Sequence, residues 1–206
     1  AGAGAKTWRA YLSTQAVGGA TAVNAKDRIG NGPWVNANGV QIAASVADLH
    51  SDTNRLSKEN SLNEKGEVNN GRGDNPNRHD ILTGSNLDGT ATANTCNNWT
   101  SSAADGGAQV GHHDRQGGGQ NPTSWNSAHT TPGCGIEQLR RVGGEGFFYC
   151  FAADPCVPTR IQVYELWEDE PTLAAHFTHP NYLAMKDLLQ AHSLTGAWNR
   201  MYLVEK

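Results

Sequence analysis

The chain has 206 residues, only 17% of them charged, and a formal net charge of −4. Nucleic acids and anionic membranes bind to clustered Lys and Arg, so this composition argues against both as partners. No apolar run approaches the roughly 20 residues that a membrane-spanning helix needs, so no transmembrane segment is expected. The length allows one domain or two small ones.

The first part of the chain, residues 1–153, is rich in Gly, Asn, Ser and Thr. Alternating side chains over residues 7–12 predict a strand. An Asn-Gly pair at 38–39 predicts a tight hairpin turn between Trp34 and residues 40–42. This part of the chain is therefore expected to consist of short strands joined by loops.

Two polar segments, residues 54–77 and 106–123, predict long surface loops of the kind that often carry function. Between them, residues 81–84 are expected to form a strand. The run 146–152 is the most strand-like in the chain, and it is continuous enough to lie in a core.

Residues 158–206 are more charged and more periodic than the rest. Alternation over residues 160–167 predicts a strand, and acids with a proline at 169–171 predict the first turn of a helix. Pro180 is expected to interrupt that helix, and residues 198–204 to form a closing strand. The predicted order is strand–helix–strand.

The four cysteines indicate an oxidising compartment, either secreted or periplasmic, because disulfides persist there. Their spacing contains no paired CxxC clusters, which argues against a cysteine-based zinc site. More than one disulfide pairing is possible, and the spacing alone does not choose among them. The cysteines are Cys96, Cys134, Cys150 and Cys156.

Several short motifs follow one another in residues 1–153. They are Trp8-Arg-Ala-Tyr-Leu-Ser13, Gly32-Pro-Trp34, Thr95-Cys-Asn-Asn-Trp-Thr100, Gly111-His-His-Asp114 and Phe148-Tyr-Cys-Phe151. Their order and spacing resemble the endostatin-like branch of the C-type lectin fold. The resemblance implies a disulfide between Cys96 and Cys134. It also implies a partner for Cys150 upstream of Trp8, which this sequence lacks, so Cys150 is expected to bond Cys156, to stay free or to pair with another chain.

A second set of motifs lies in residues 158–206: Tyr164-Glu-Leu-Trp-Glu-Asp-Glu170, Leu173-Ala-Ala-His176 and His179-Pro180. It resembles the second half of an antibiotic-biosynthesis-monooxygenase domain, which has a ferredoxin-like fold. The first half of that domain is not visible. The resemblance implies an aromatic-substrate pocket lined by Tyr164, Trp167 and His176, whereas a core tryptophan and surface histidines would account for the same residues.

The densest group of potential metal ligands includes His112 and Asp114. Neighbouring side chains on an extended segment point to opposite sides, so only one of His112 and His113 would join Asp114. A third ligand, such as His79 or His129, would have to come from elsewhere in the chain. The endostatin-like resemblance suggests a structural turn at the same place.

Two groups of residues are candidates for ligand binding. Residues 72–74 spell Arg-Gly-Asp, an adhesion tripeptide, but three-residue matches often occur by chance and a solvated turn is the favoured interpretation. Around residues 121–126 an indole ring and amides suit the face of a sugar, with too little charge for calcium. The candidates are Trp125, Asn126, Asn121, Arg72 and Asp74.

The sequence thus predicts an α+β protein. A loop-rich C-type-lectin/endostatin-like domain over residues 1–153 precedes a ferredoxin-like strand–helix–strand over 158–206. No catalytic motif is present and no cofactor is expected. The predicted function is a non-catalytic secreted or periplasmic recognition or adhesion module that binds carbohydrate or protein. The alternatives are a structural subunit of a larger extracellular assembly or homo-oligomer, and a cofactor-independent monooxygenase.

Overall fold

A computed structural model describes residues 7–153, together with Thr178, Pro180 and Leu183. The protein is mixed α+β, with several small sheets and a few short helices among these residues. The chain divides into two compact units, Ala1–Arg160 and Ile161–Lys206. The strands and helices described below belong to the first unit.

Eight short strands form three sheets in the described residues. Strand β1 (Thr7–Ala10) pairs antiparallel with β8 (Cys150–Ala153), and β2 (Trp34–Val35) pairs antiparallel with β3 (Gln41–Ala43). The third sheet has the order β6-β5-β4-β7, formed by β4 (Asp80–Leu82), β5 (Gln109–His112), β6 (His129–Thr130) and β7 (Gly144–Phe148). Within it only β4 and β7 run parallel.

The four helices are short, and residues at their ends stabilise or terminate two of them. They are α1 (Ala25–Arg28), α2 (Val46–Leu49), α3 (Cys96–Trp99) and α4 (Ile136–Val142). The hydroxyl of Ser45 accepts a hydrogen bond from the Asp48 amide and so caps the start of α2. Helix α4 ends at Gly143, whose φ of 103° is the left-handed conformation that glycine adopts most readily.

An aromatic cluster forms the main core. Tyr11, directly after β1, is fully buried, and its ring centroid lies 4.8 Å from that of Trp125. Trp34 of β2 meets Phe151 of β8 nearly edge-on at 5.3 Å. Such pairs contribute about 0.5–1.5 kcal/mol each beyond the area they bury. The cluster joins the β1–β8 ribbon to the β2–β3 hairpin and to the loop that precedes β6.

Helix α3 is a single left-handed turn beside a disulfide. Its four residues have φ values between 48° and 68°. This conformation costs roughly 1–2 kcal/mol per L-residue, so neighbouring contacts must hold it. One of them is the disulfide between Cys96 and Cys134, the pairing that the endostatin-like resemblance implies.

Side chains of α3 bond to the chain segment that follows β1. The Asn98 amide group accepts a hydrogen bond from the Gln15 backbone N–H at 2.7 Å and donates one to the Gln15 carbonyl at 3.1 Å. The Trp99 indole donates to the Ser13 carbonyl at 2.8 Å. These bonds tie α3 to a segment more than 80 residues earlier in the chain.

The predicted strand at residues 7–12, the hairpin around 38–39 and the strand at 81–84 are confirmed as β1, β2–β3 and β4. The prediction that residues 106–123 form only loop is wrong, because β5 lies in this segment and pairs with two strands. The glycine content was misleading here. A side chain at Gly111 would overlap the Trp125 backbone, so this glycine permits close packing within a sheet.

The run 146–152 is not one continuous core strand. It divides into β7 and β8, and a Gly146 φ of 82° marks an irregularity within β7. Phe147 and Phe148 are 40% and 47% exposed, whereas Phe151 is buried. Helix α4 was not predicted.

The strand–helix–strand predicted for residues 158–206 lies outside the described residues, apart from Thr178, Pro180 and Leu183, which are helical. None of the helices in the described part of the chain is long and apolar enough to cross a membrane.

Replacing Asn98 with Ala should reduce the free energy of unfolding by about 1–3 kcal/mol more than replacing Asn97 with Ala. The two residues have φ values of 55° and 54°, so both substitutions put Ala in the same unfavourable conformation. Only Asn98 bonds to Gln15. Urea denaturation with the disulfide intact measures the difference, and equal losses would contradict the role given to Asn98.

Candidate functional site

Two polar loops lie against each other and form one surface. We call residues 54–77 and 113–124 the loop face. Arg115 is half-buried between the two loops and connects them. Its guanidinium donates to the carbonyls of Leu56 at 2.9 Å and Thr123 at 3.2 Å, and to Oδ1 of Asn54 at 2.7 Å. Because the donor is charged, these bonds are stronger than bonds between neutral groups.

The buried carboxylate of Asp114 fixes the tip of the longer loop. Its Oδ2 accepts from the Arg72 backbone N–H at 2.6 Å, and its Oδ1 accepts from the Gln116 N–H at 3.0 Å and from His79 Nδ1 at 3.3 Å. Burial alone would raise the pKa of Asp114, but these donors hold it well below its usual value. Asp114 is therefore an anion that anchors the loop tip to the interior.

The Arg-Gly-Asp tripeptide lies at this tip. Arg72 and Gly73 are exposed, whereas Asp74 is half-buried and its carboxylate is used within the loop. That carboxylate accepts from the Gly71 N–H at 2.7 Å and forms an ion pair with Lys58. Arg72 is thus the charged member of the tripeptide that faces solvent, and Asp74 stabilises the turn.

The structure places the other candidate ligand-binding residues in internal contacts. Trp125 and Asn126 are 3% and 1% exposed. The Trp125 indole donates to the Leu49 carbonyl, and the Asn126 amide donates to the Tyr11 hydroxyl. Asn121 is half-buried and donates to a backbone carbonyl of its own loop. These side chains support the core and the loop face from within.

Of the two remaining cysteines, the structure describes Cys150 alone. Cys150 is exposed at the start of β8 and has no disulfide partner among the described residues. Cys156 lies outside the described residues, so the predicted link between the two stays a prediction.

A group of ionisable side chains meets on one face of the four-stranded sheet. Asp80 on β4 lies directly opposite His112 on β5, and His129 on β6 lies opposite Val110, two residues before His112. Residues two apart on a strand share a face, so these side chains converge. His79, immediately before β4, completes the group. We call His79, Asp80, His112 and His129 the histidine–aspartate cluster.

The Asp80 carboxylate is the centre of this cluster. Its Oδ1 lies 3.2 Å from His79 Nε2 and 3.3 Å from His112 Nε2, and its Oδ2 lies 3.4 Å from His129 Nε2. Both carboxylate oxygens and His112 Nε2 are buried, and within the described part of the chain none of them has a partner with hydrogen-bond geometry. Buried polar atoms in proteins are nearly always paired, so this convergence needs a physical explanation.

Contacts on the far side of the rings fix the position of their protons. His112 Nδ1 lies 2.7 Å from the Pro122 carbonyl, and His79 Nδ1 faces the Asp114 carboxylate. These oxygens only accept hydrogen bonds, so Nδ1 carries the proton in both rings. A neutral ring then presents its Nε2 lone pair to Asp80. Burial would raise the pKa of Asp80, whereas a protonated Nε2 on His112 or His129 donates to the carboxylate and lowers that pKa overall.

The spacing of these atoms suits a metal ion. One ligand atom from each of His79, Asp80 and His112 lies within 4.8 Å of the other two. In a tetrahedral zinc site with bonds of about 2.0–2.1 Å, ligand atoms are about 3.4 Å apart. The distances from Asp80 Oδ1 to the two Nε2 atoms are close to that value. These three residues could therefore hold a divalent transition cation.

Glycines keep the imidazole rings in place. A Cβ atom on Gly117 would overlap the His112 ring, and one on Gly143 would lie 2.8 Å from His79 Cδ2. In both positions the added Cβ atom would be closer to the imidazole ring than packed atoms in proteins allow. The backbone thus packs directly against two rings of the cluster.

The sequence located parts of this cluster. It grouped His112 with Asp114 as metal ligands, but the structure turns His112 toward Asp80, while Asp114 contacts His79 from the opposite side of that ring. His79 and His129 were named as distant partners, and the structure brings both near His112. Asp80 was missed, because only the pairing of β4 with β5 reveals its position.

The residues of the pocket expected from the monooxygenase resemblance, Tyr164, Trp167 and His176, lie outside the described residues. Comparisons with protein-family models, with curated proteins and with solved structures found no match. The two family resemblances therefore stay predictions.

Replacing Arg115 with Gln should loosen the loop face. The substitution removes hydrogen bonds from a charged, half-buried donor, so the free energy of unfolding should fall by about 2 kcal/mol. Amide hydrogen exchange should become faster across residues 54–77. Arg55→Gln is the matched control, because Arg55 is exposed in the same loop and should change stability by less than about 0.5 kcal/mol. Equal effects of the two variants would rule out Arg115 as the connection.

Replacing Gly117 with Ala should displace the His112 ring and destabilise the protein by about 1–3 kcal/mol, as overpacking usually does. Gly118→Ala is the control, because a Cβ atom there meets open space. It should leave stability within about 0.5 kcal/mol of the parent protein. Denaturant titration measures both variants. Identical unfolding midpoints would mean that Gly117 does not hold His112.

Proposed function

We propose that residues 1–153 form a non-catalytic recognition module with an endostatin-like C-type lectin fold, and that this module binds a protein ligand through the loop face. The observation that carries this proposal is the anchoring of both loops by polar groups. Arg115 joins one loop to the other, and Asp114 holds the tip at Arg72.

The loops are ordered before any ligand arrives. Side-chain bonds to nearby backbone groups fix the longer loop along its length, and these come from Asn54, Asn60, Asn63 and Asn70. A surface that is already ordered loses less conformational entropy on association, so more of its contact energy appears as affinity. Binding residues are commonly found on loops that a rigid scaffold positions in this way.

The chemistry of the loop face favours a protein over a carbohydrate. Residues 54–77 contain no Trp, Tyr or Phe, and aromatic rings are the groups that usually stack on sugars. The exposed side chains of this loop carry charges of both signs, from Arg55, Glu59, Glu64, Lys65, Glu67 and Arg72. Mixed charges suit a protein surface with a complementary arrangement.

The disulfide between Cys96 and Cys134 supports a secreted or periplasmic location, since such bonds persist in oxidising compartments. It also supports the endostatin-like assignment, which implies this pairing. The ferredoxin-like character of residues 158–206 and assembly into a homo-oligomer or larger complex stay predictions.

The proposal is tested by applying the labelled chain to an array of secreted and cell-surface proteins, and to a glycan array in parallel. We expect binding on the protein array. For each protein bound, surface plasmon resonance should show that Arg72→Ala weakens the affinity about tenfold or more, because an exposed arginine at an anchored tip is a typical interface hot spot.

Arg141→Ala is the matched control, because Arg141 is exposed on α4, outside the loop face. Its affinity should equal that of the parent protein. Binding confined to the glycan array, or equal losses for the two arginine variants, would contradict a protein ligand at the loop face.

A further inference from the structure

The cluster around Asp80 is electrostatically unfavourable as it stands. If His79 and His112 are neutral, two nitrogen lone pairs face one carboxylate oxygen at 3.2 and 3.3 Å. If only His79 is protonated, it lies between the Asp80 and Asp114 carboxylates, but the His112 lone pair still faces Asp80 at 3.3 Å. If both are protonated, two cationic rings are stacked with centroids 4.3 Å apart and planes within 6° of parallel. Burial strengthens the repulsion in each of these states, because water is excluded and the local dielectric is low.

A cation between the three groups removes this conflict. It would accept both lone pairs and neutralise the carboxylate, and it would give a partner to buried atoms that otherwise lack one. Both rings could then stay neutral. Because lone pairs in parallel planes do not meet, one ring must rotate about its Cβ–Cγ bond for both Nε2 atoms to reach the same ion.

We propose that His79 Nε2, His112 Nε2 and Asp80 Oδ1 bind one divalent first-row transition cation of the Zn²⁺ type. Two imidazoles and a carboxylate are typical ligands of such cations, whereas Ca²⁺ and Mg²⁺ prefer oxygen alone. The residues are 4%, 0% and 2% exposed, respectively, so all three ligand groups are buried.

The surrounding groups have the arrangement that a metal site requires. His79 Nδ1 donates to the Asp114 carboxylate and His112 Nδ1 donates to the Pro122 carbonyl. Metal-bound histidines nearly always make such a bond with their other nitrogen, which orients the ring and raises its basicity. Both rings of the proposed site have it.

The remaining member of the cluster gives access to the site. His129 contacts Asp80 Oδ2, and its side chain is 20% exposed, whereas those of Asp80 and His112 are 1% exposed. His129 is therefore the member of the cluster that an entering cation would meet first. Metal binding at this site does not require a ligand on the loop face. The metal-site proposal and the proposed recognition function can therefore be tested independently.

The test is a Zn²⁺ titration of the full chain, with its disulfide intact, after treatment with a chelator. A chromophoric competitor reports the free Zn²⁺. We expect a single tight equivalent and a rise in melting temperature that the chelator reverses. Asp80→Asn and His112→Asn should each weaken the affinity by more than about 100-fold, and Asp114→Asn by about 10- to 100-fold, as for groups that support a ligand.

Two control variants remove zinc-binding groups elsewhere in the chain. The double variant H176A/H179A and the single variant Cys150→Ser should each retain the parent affinity. If these controls lose the tight equivalent, or if Asp80→Asn and His112→Asn keep it, the proposal is wrong.

A measurement on the parent protein decides the matter even if the variants fail to fold. Nitrogen NMR of labelled histidines reports which ring nitrogen carries a proton. With Zn²⁺ present, two histidines should have protonated Nδ1 and metal-bound Nε2. Rings that stay unchanged on addition of Zn²⁺ would overturn the proposal.

Discussion

The buried carboxylate of Asp114 is the contact on which much of this structure depends. It accepts hydrogen bonds from three separate places: the Arg72 amide at the loop tip, the Gln116 amide after β5, and the His79 ring before β4. A buried anion must be surrounded by donors, so none of these can move away without leaving it unsatisfied. The position of the loop tip and the orientation of His79 are thus fixed by the same group.

Because the described part of the chain has few helices and strands, other interactions must hold its loops in place. Here the core includes Trp125 from a loop, and the side chains of Trp125 and Asn126 donate to the distant backbone carbonyls of Leu49 and Asn86. Hydrogen bonds from asparagine and arginine side chains replace the ladders that longer strands would supply. For this reason Trp125 and Asn126, whose side chains are typical of ligand-binding surfaces, are buried and support the loops from the interior.

The sequence revealed those features that neighbouring residues determine. Alternation predicted β1, and an Asn-Gly pair predicted the β2–β3 hairpin, because both signals act within a few residues. The cluster depends on long-range pairing, and Asp80 joins it only through its register with His112. Two residues apart on a strand, His112 and Asp114 would share a face, but β5 ends at His112. A turn closed by the Arg115 amide, with an Arg115 φ of 54°, then directs Asp114 elsewhere.

The left-handed turn α3 has a consequence for chirality. Its four α-carbons adopt the backbone conformation that is natural for D-amino acids and costly for L-amino acids. The segment is in effect a piece of mirror-image helix within an ordinary chain. A chemically synthesised chain with D-Asn at the exposed position 97 would relieve the strain that an L-residue carries there. Among genetically encoded residues, only glycine approaches that advantage.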